Sequence, residues 1–301
     1  MILVTGALGR IGNATARALH HRRAAVKALV PSRNHVPGLA ELGIPLAEGD
    51  YDDARHLSAA LDGVDTVILL SRPSADLVAV QERVIDSCAN AGVRRIVKLS
   101  ATGASATARS DAGRWHWRIE QHLRRAPLAS CVVRPMRQMQ ELVHQLPLLL
   151  TNGMLVGCQG EGRVSEIDAR DVGAVLAACA VADTLPTEPV MATGPVALDR
   201  WAMCELLSSA FGRPVRYVNC SPSDLESTLL ASGLSPWQVH DMVTTETSAA
   251  EGAFDVVSDA VESMTGRPPR RFEQFAHELA TALSYTNAPE RAMAGTLGGV
   301  R

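Results

Sequence analysis

Apolar residues along this chain fall into two alternating patterns. Short continuous runs occupy residues 1–4, 24–30, 44–47, 64–70, 95–100 and 129–134. The run at 64–70 (VDTVILL) is apolar almost throughout, as expected of a strand covered on both faces. Between the runs lie stripes at helical spacing: Ile11, Ala14, Ala18 and Leu19; residues 53–61; and Leu77, Val80, Val84 and Cys88, stopped by Gly92. A further helix is predicted over 113–125, and another around Met136, Met139, Leu142 and Val143. Residues 163–167 and a helix over 168–180 rejoin the main body, and 190–193 read as the last sheet strand. From Leu198 onward the pattern is helical, broken at Gly212-Arg213-Pro214 and Ser221-Pro222, with a short strand at 213–219 and a final helix at 272–283. Strands alternating with helices predict an α/β fold, a doubly wound parallel (Rossmann) sheet with a small, mainly helical C-terminal lobe. The expected division is a dinucleotide-binding core over 1–155, the remaining strands and a lid lobe over 156–285, and a flexible tail over 286–301.

The first strand turns directly into Thr5-Gly6-Ala7-Leu8-Gly9-Arg10-Ile11-Gly12. Spaced glycines between a buried strand and a helix N-terminus suit a pyrophosphate. Gly6 permits the turn, Gly9 keeps side chains away from the phosphates, and Gly12 lets the helix lie close to the sheet. The spacing G-x-x-G-x-x-G is one residue wider at its start than G-x-G-x-x-G. After the second strand, where an acid would bind a ribose 2′-hydroxyl, the chain reads Pro31-Ser32-Arg33-Asn34. Arg33, helped by Ser32 and by Arg10, suits a 2′-phosphate, so NADPH is expected in preference to NADH. Candidate cofactor contacts are thus Thr5, Gly6, Leu8, Gly9, Arg10, Ile11, Gly12, Ser32 and Arg33. Asp50 joins them as an adenine acceptor or helix cap, as do Leu70, Ser71 and Arg72 at the end of the fourth strand. Asp53 reads as a cap.

Composition narrows the remaining choices. The net charge of −3 gives no reason to expect nucleic acid, and no apolar stretch is long enough to span a membrane. Cys88, Cys131, Cys158, Cys179, Cys204 and Cys220 show neither C-x-x-C spacing nor histidine partners. They read as buried thiols of a cytoplasmic protein without a metal site. The first strand begins at the initiator Met, so no targeting peptide is expected.

Several segments together resemble the NmrA-like branch of the atypical short-chain dehydrogenase/reductases. They are Thr5-Gly6-x-x-Gly9-x-x-Gly12, Gly49-Asp50, Leu99-Ser100-Ala101, Gly113-Arg114-Trp115-His116 and Val133-Arg134-Pro135, followed by Ile167-Asp168-x-x-Asp171-Val172, Thr193-Gly194-Pro195 and Gly266-Arg267-Pro268-Pro269. The resemblance runs from Met1 to about Leu283. It implies a seven-stranded Rossmann sheet, a C-terminal lobe over the cofactor, and NADP binding. Members include quinone and azo-dye reductases, tailoring reductases of secondary metabolism, and nucleotide sensors without turnover. This chain departs from the family at Pro31, where many members carry an arginine, which leaves Arg33 to take that role.

Ordinary short-chain dehydrogenases protonate their ketone product from a helix-borne Y-x-x-x-K. Here the tyrosines are Tyr51, Tyr217 and Tyr285, the lysines are Lys27 and Lys98, and no such pair occurs. The corresponding helix offers His116 and Glu120 at i,i+4 spacing, where the carboxylate would favour a charged imidazole. His116 and Ser100 are the candidate catalytic residues, and Trp115, Met136 and Met139 the candidate substrate contacts. The expected activity is NADPH-dependent reduction of a quinone-like or conjugated carbonyl acceptor, in secondary metabolism among other settings. The alternatives are an NADP(H) sensor without turnover and a tailoring ketoreductase. The partner is a small molecule, and the chain is read as a monomer or homodimer.

Overall fold

The computed structural model describes residues 1–32, 37–50 and 53–286. Seven strands form a wholly parallel sheet: β1 (Ile2–Val4), β2 (Val26–Val30), β3 (Leu46–Glu48), β4 (Thr66–Leu69), β5 (Arg95–Leu99), β6 (Ala129–Pro135) and, after a lobe strand β7 (Met154–Gly157), β8 (Val190–Ala192). Their order is β3-β2-β1-β4-β5-β6-β8, so the direction of winding reverses between β1 and β4. In such sheets that reversal opens a crevice at the carboxyl edge.

Alternation along each strand feeds two cores. Val4, Ile68, Val97 and Val133 face helices Arg10–His21 and Ala169–Val181 on one side. Leu3, Val67, Leu69 and Ile96 face Leu77–Asn90 and Asp111–Arg125 on the other. Helix Ala54–Leu61 is capped by Asp53, whose carboxylate accepts from the amides of Arg55 and His56, in agreement with the capping role.

The lobe departs from expectation in detail. Around Met139 a 3-10 turn, Met139–Gln145, leads into a short helix, Leu146–Asn152. β7 was not anticipated; it pairs in parallel with β9 (Arg216–Asn219) as a separate two-stranded sheet. Residues 163–167 form only isolated bridges, Gln138 with Ile167 and Val164 with Leu198. Helices Arg200–Phe211, Pro222–Ala231, Pro236–Ala250 and Phe272–Thr286 complete the lobe.

The lobe docks on the very helix that carries His116. The Asp241 carboxylate accepts from the Asp111 and Ala112 amides at 2.6 and 2.9 Å, capping helix Asp111–Arg125 from outside. Burial raises that carboxyl above its ordinary range. Trp237 packs on Trp115 with ring centroids 5.3 Å apart, so one lobe helix fixes both ends of the contact.

Candidate active site

At the β1 turn, Gly6 has φ of +57°, which favours glycine, and a Cβ there would meet the Leu70 carbonyl oxygen at 3.0 Å. A Cβ on Gly12 would lie 2.2 Å from the Gly6 carbonyl oxygen, so the helix can sit this close to its own turn only with glycine at 12. Gly9 is the N-cap, and the first helical turn contains no acid. Its leading amides have no intrahelical acceptor and form the anion-facing end. The residues present therefore fit a pyrophosphate.

The other expected cofactor contacts divide into two sets. Arg10 and Leu8 are exposed at the turn, and Ile11 is buried beneath it. Arg72 and Asp50 are exposed at the ends of β4 and β3. Thr5 requires correction: its hydroxyl donates to the Leu70 carbonyl at 2.6 Å and accepts from the Leu70 amide at 2.8 Å. It is fully buried and stitches β1 to β4, so its role is to hold the turn. Leu70 answers it through the main chain, its own side chain being core. The Ser71 hydroxyl accepts from Gln81 Nε2 at 2.8 Å. Ser32 closes the described segment after β2, and Arg33 lies outside the described residues.

A cavity of about 710 Å³ opens where β4, β5 and β6 end. The core contributes Ser71, Ser100, Trp115, His116 and Met136, and the lobe contributes Leu142, Leu225, Trp237 and Met242. Met139 is not among the lining residues. It is 1% exposed inside the lobe's own apolar cluster with Leu149, Leu155 and Met203, which corrects its expected substrate contact. One end of the cavity is closed by an ionic group. Arg137 donates to Glu166, Glu246 and Gln159, and Arg200 donates to the same two carboxylates. Glu141 lines the cavity.

The polar floor differs from the sequence expectation. Glu120 is buried and does not serve His116. It accepts two hydrogen bonds from Arg134, at 3.0 and 2.6 Å, and one from the Ser100 hydroxyl at 2.5 Å. His116 instead has its Nδ1 2.9 Å from Nζ of Lys98. Lys98 also donates to the Leu99 carbonyl at 2.9 Å and is wholly buried. Burial lowers the Lys98 ammonium to about 7, partly offset by Glu120. His116 is held well below its ordinary range by desolvation and by the cations Lys98 and Arg134. These surroundings favour the neutral imidazole over the charged form expected from Glu120. Sequence spacing missed Lys98 because eighteen positions separate it from its partner. The available signal was a charged residue alternating with Ile96 inside a buried strand.

Fold and site together define a dinucleotide-binding α/β protein with a small-molecule cavity against the cofactor crevice. The NmrA-like family model matches residues 1–275, and the chain belongs to that family. It is 32% identical over 282 residues to an NAD(P)H azoreductase from Xenophilus azovorans, covering 94% of this chain and 99% of that one. It is 30% identical over 286 residues to a (4-alkanoyl-5-oxo-2,5-dihydrofuran-3-yl)methyl phosphate reductase from Streptomyces griseus, covering 94% and 99%. Among solved structures, the NADPH complex of the NADPH-dependent quinone oxidoreductase of Escherichia coli superposes with a TM-score of 0.85, at 23% identity over 93% of this chain and 99% of that one.

Proposed function

We propose that this protein is an NADPH-dependent oxidoreductase that reduces a quinone-like or conjugated carbonyl acceptor. The glycine turn and the first amides of helix Arg10–His21 bind the pyrophosphate. The carboxyl ends of β4 to β6 border the nicotinamide, with Ser100 and His116 nearest the acceptor. When bound, the cofactor supplies the hydride. The residues around it hold the acceptor flat against Trp115 and Met136 and exclude water beneath the lobe.

Acidity limits the range of acceptors. Hydride transfer to a ketone leaves an alkoxide, whose conjugate acid is about as weak as water at pKa ~15.7. A quinone leaves a phenolate-like oxygen with conjugate acid near ~10. The difference of ~6 units corresponds to ~8 kcal/mol of product stabilisation. Among the described residues no tyrosine lines the cavity, so acceptors that hold the charge themselves are favoured.

The observation that carries this reading is the cavity itself: about 710 Å³, largely apolar, and continuous with the strand ends where a nicotinamide would lie. A sensor without turnover needs the crevice but not this space. The azoreductase and furanone-phosphate reductase relatives support an oxidoreductase, the latter from a Streptomyces species. The test is NADPH consumption against quinones, azo dyes, enones and simple ketones. Quinones are expected to be fastest, and activity on simple ketones alone would overturn the reading. Arg33→Ala should weaken NADPH but not NADH; equal loss would remove Arg33 from the 2′-phosphate.

A further inference from the structure

We propose that Lys98 and His116 act as a proton-delivery pair for the acceptor, Nε2 of His116 giving the proton and Nζ of Lys98 replenishing it through Nδ1. The proposal rests on the reductase reading above and assigns its proton source.

Three observations carry it. Lys98 sits on β5 with no accessible surface, and among the described residues its bonded partners are the Leu99 carbonyl and His116. The nearby carboxylate, Glu120, is occupied by Arg134 and Ser100. A buried ammonium without a bonded counterion costs stability, so packing alone does not explain a lysine at this position. His116 lines the cavity while its Nδ1 is taken by Lys98. Nε2 has no protein partner among the described residues and is the nitrogen left for the acceptor. In the proposed pair Nδ1 accepts from Lys98, which puts the proton of the neutral ring on Nε2, the form able to donate. The depressed Lys98 ammonium and the neutral imidazole agree with that protonation pattern.

The step balances. The acceptor gains two electrons as hydride from the nicotinamide cofactor, and its carbonyl carbon–oxygen π bond breaks. The Nε2–H bond breaks as the new O–H bond forms. One N–H bond of the Lys98 ammonium breaks as Nδ1 gains a proton, leaving a neutral amine. After product leaves, Nδ1 returns its proton to Lys98 and a solvent proton entering the cavity restores Nε2–H. Each turnover consumes one solvent proton.

The charged groups facing the pair are Glu120 on the same helix as His116 and Arg134 on β6. Neither Lys98→Met nor His116→Phe touches that ion pair. The test compares wild type, Lys98→Met and His116→Phe on menadione and on an alkoxide-forming carbonyl, ethyl benzoylformate, across pH 6–9. Proton delivery contributes ~10²–10⁴-fold where the product cannot hold charge. Both variants should lose at least ~10²-fold on the ketoester and less than ~10-fold on menadione. The wild-type ketoester rate should fall as pH rises through about 7, a limb absent from Lys98→Met. Independently of turnover, ¹⁵N NMR of the cofactor-free protein should show His116 as the Nε2–H tautomer, and Lys98→Met should change it.

Reduction of neither acceptor by wild type would overturn the reductase reading itself. Reduction of menadione but not the ketoester, equal loss on both, or an Nδ1-protonated His116 would overturn the proton pair and leave that reading standing. Should Lys98→Met fail to fold, His116→Phe and the wild-type tautomer still decide.

Discussion

The Ser100 hydroxyl donates to Glu120 at 2.5 Å, and the same carboxylate oxygen accepts from Arg134 Nε at 3.0 Å. Ser100 is therefore held in one orientation at the end of β5, and an ion pair beneath it sets that orientation. Arg134 is 23% exposed at its side chain whereas Glu120 is 1% exposed, so removing the arginine strands a buried charge. Arg134→Ala should destabilise by about 3 kcal/mol, lowering the melting temperature by roughly 6–12 °C at ~2–4 °C per kcal/mol. An unchanged melting temperature would mean that the pair contributes nothing to stability.

Gly12→Ala tests the turn. The added methyl would collide with the Gly6 carbonyl oxygen and force helix Arg10–His21 away from it. Overpacking of this kind costs ~1–3 kcal/mol, here at the expense of the anion-facing amides. NADPH affinity, followed by cofactor fluorescence, should fall at least tenfold while the far-ultraviolet spectrum is kept. Unaltered binding would place the pyrophosphate elsewhere.

Asp241→Ala tests how the lobe is seated. It removes the cap on the Asp111 and Ala112 amides, worth ~0.5–2 kcal/mol. Because Asp241 lines the cavity and Gly6, Gly9 and Gly12 do not, KM for the acceptor should rise several-fold while the Kd for NADPH stays constant. A parallel rise in both would show that the lobe also shapes the cofactor site.

Lys98 gives the fold a distinctive pH dependence. Its pKa in the native state is about 7, against 10.5 for a free lysine. Between those values the unfolded chain binds a proton that the folded protein does not, so native stability from this group is present above 10.5 and is lost as pH falls towards 7. Wild-type stability minus that of Lys98→Met should therefore rise by about 1.4 kcal/mol per pH unit over that window. Denaturant melts at several pH values measure it, and a flat difference would mean that Lys98 keeps its charge when buried.

The strands and the glycine turn could be read in advance because local signals write them. Apolar runs of four to seven residues mark β1 to β6, and the spacing of Gly6, Gly9 and Gly12 states where backbone must approach backbone. β7 was missed because Met154-Leu155-Val156-Gly157 is stabilised by pairing with β9, some sixty residues away. Met139 was misplaced for a related reason. Helical spacing predicted a face, but the 3-10 turn rotates that residue into the lobe core. The polar floor was the least legible part. His116 and Glu120 share a helix face by spacing, yet β5 and β6 bring Lys98 and Arg134 against them and reassign both partners.

The account depends most directly on acceptor-dependent oxidation of NADPH by the purified protein. With menadione present, NADPH should be consumed catalytically, faster than NADH and far faster than with a simple ketone. Tight NADPH binding with no consumption in the presence of any quinone, azo dye or enone would contradict the account and leave a nucleotide sensor in its place.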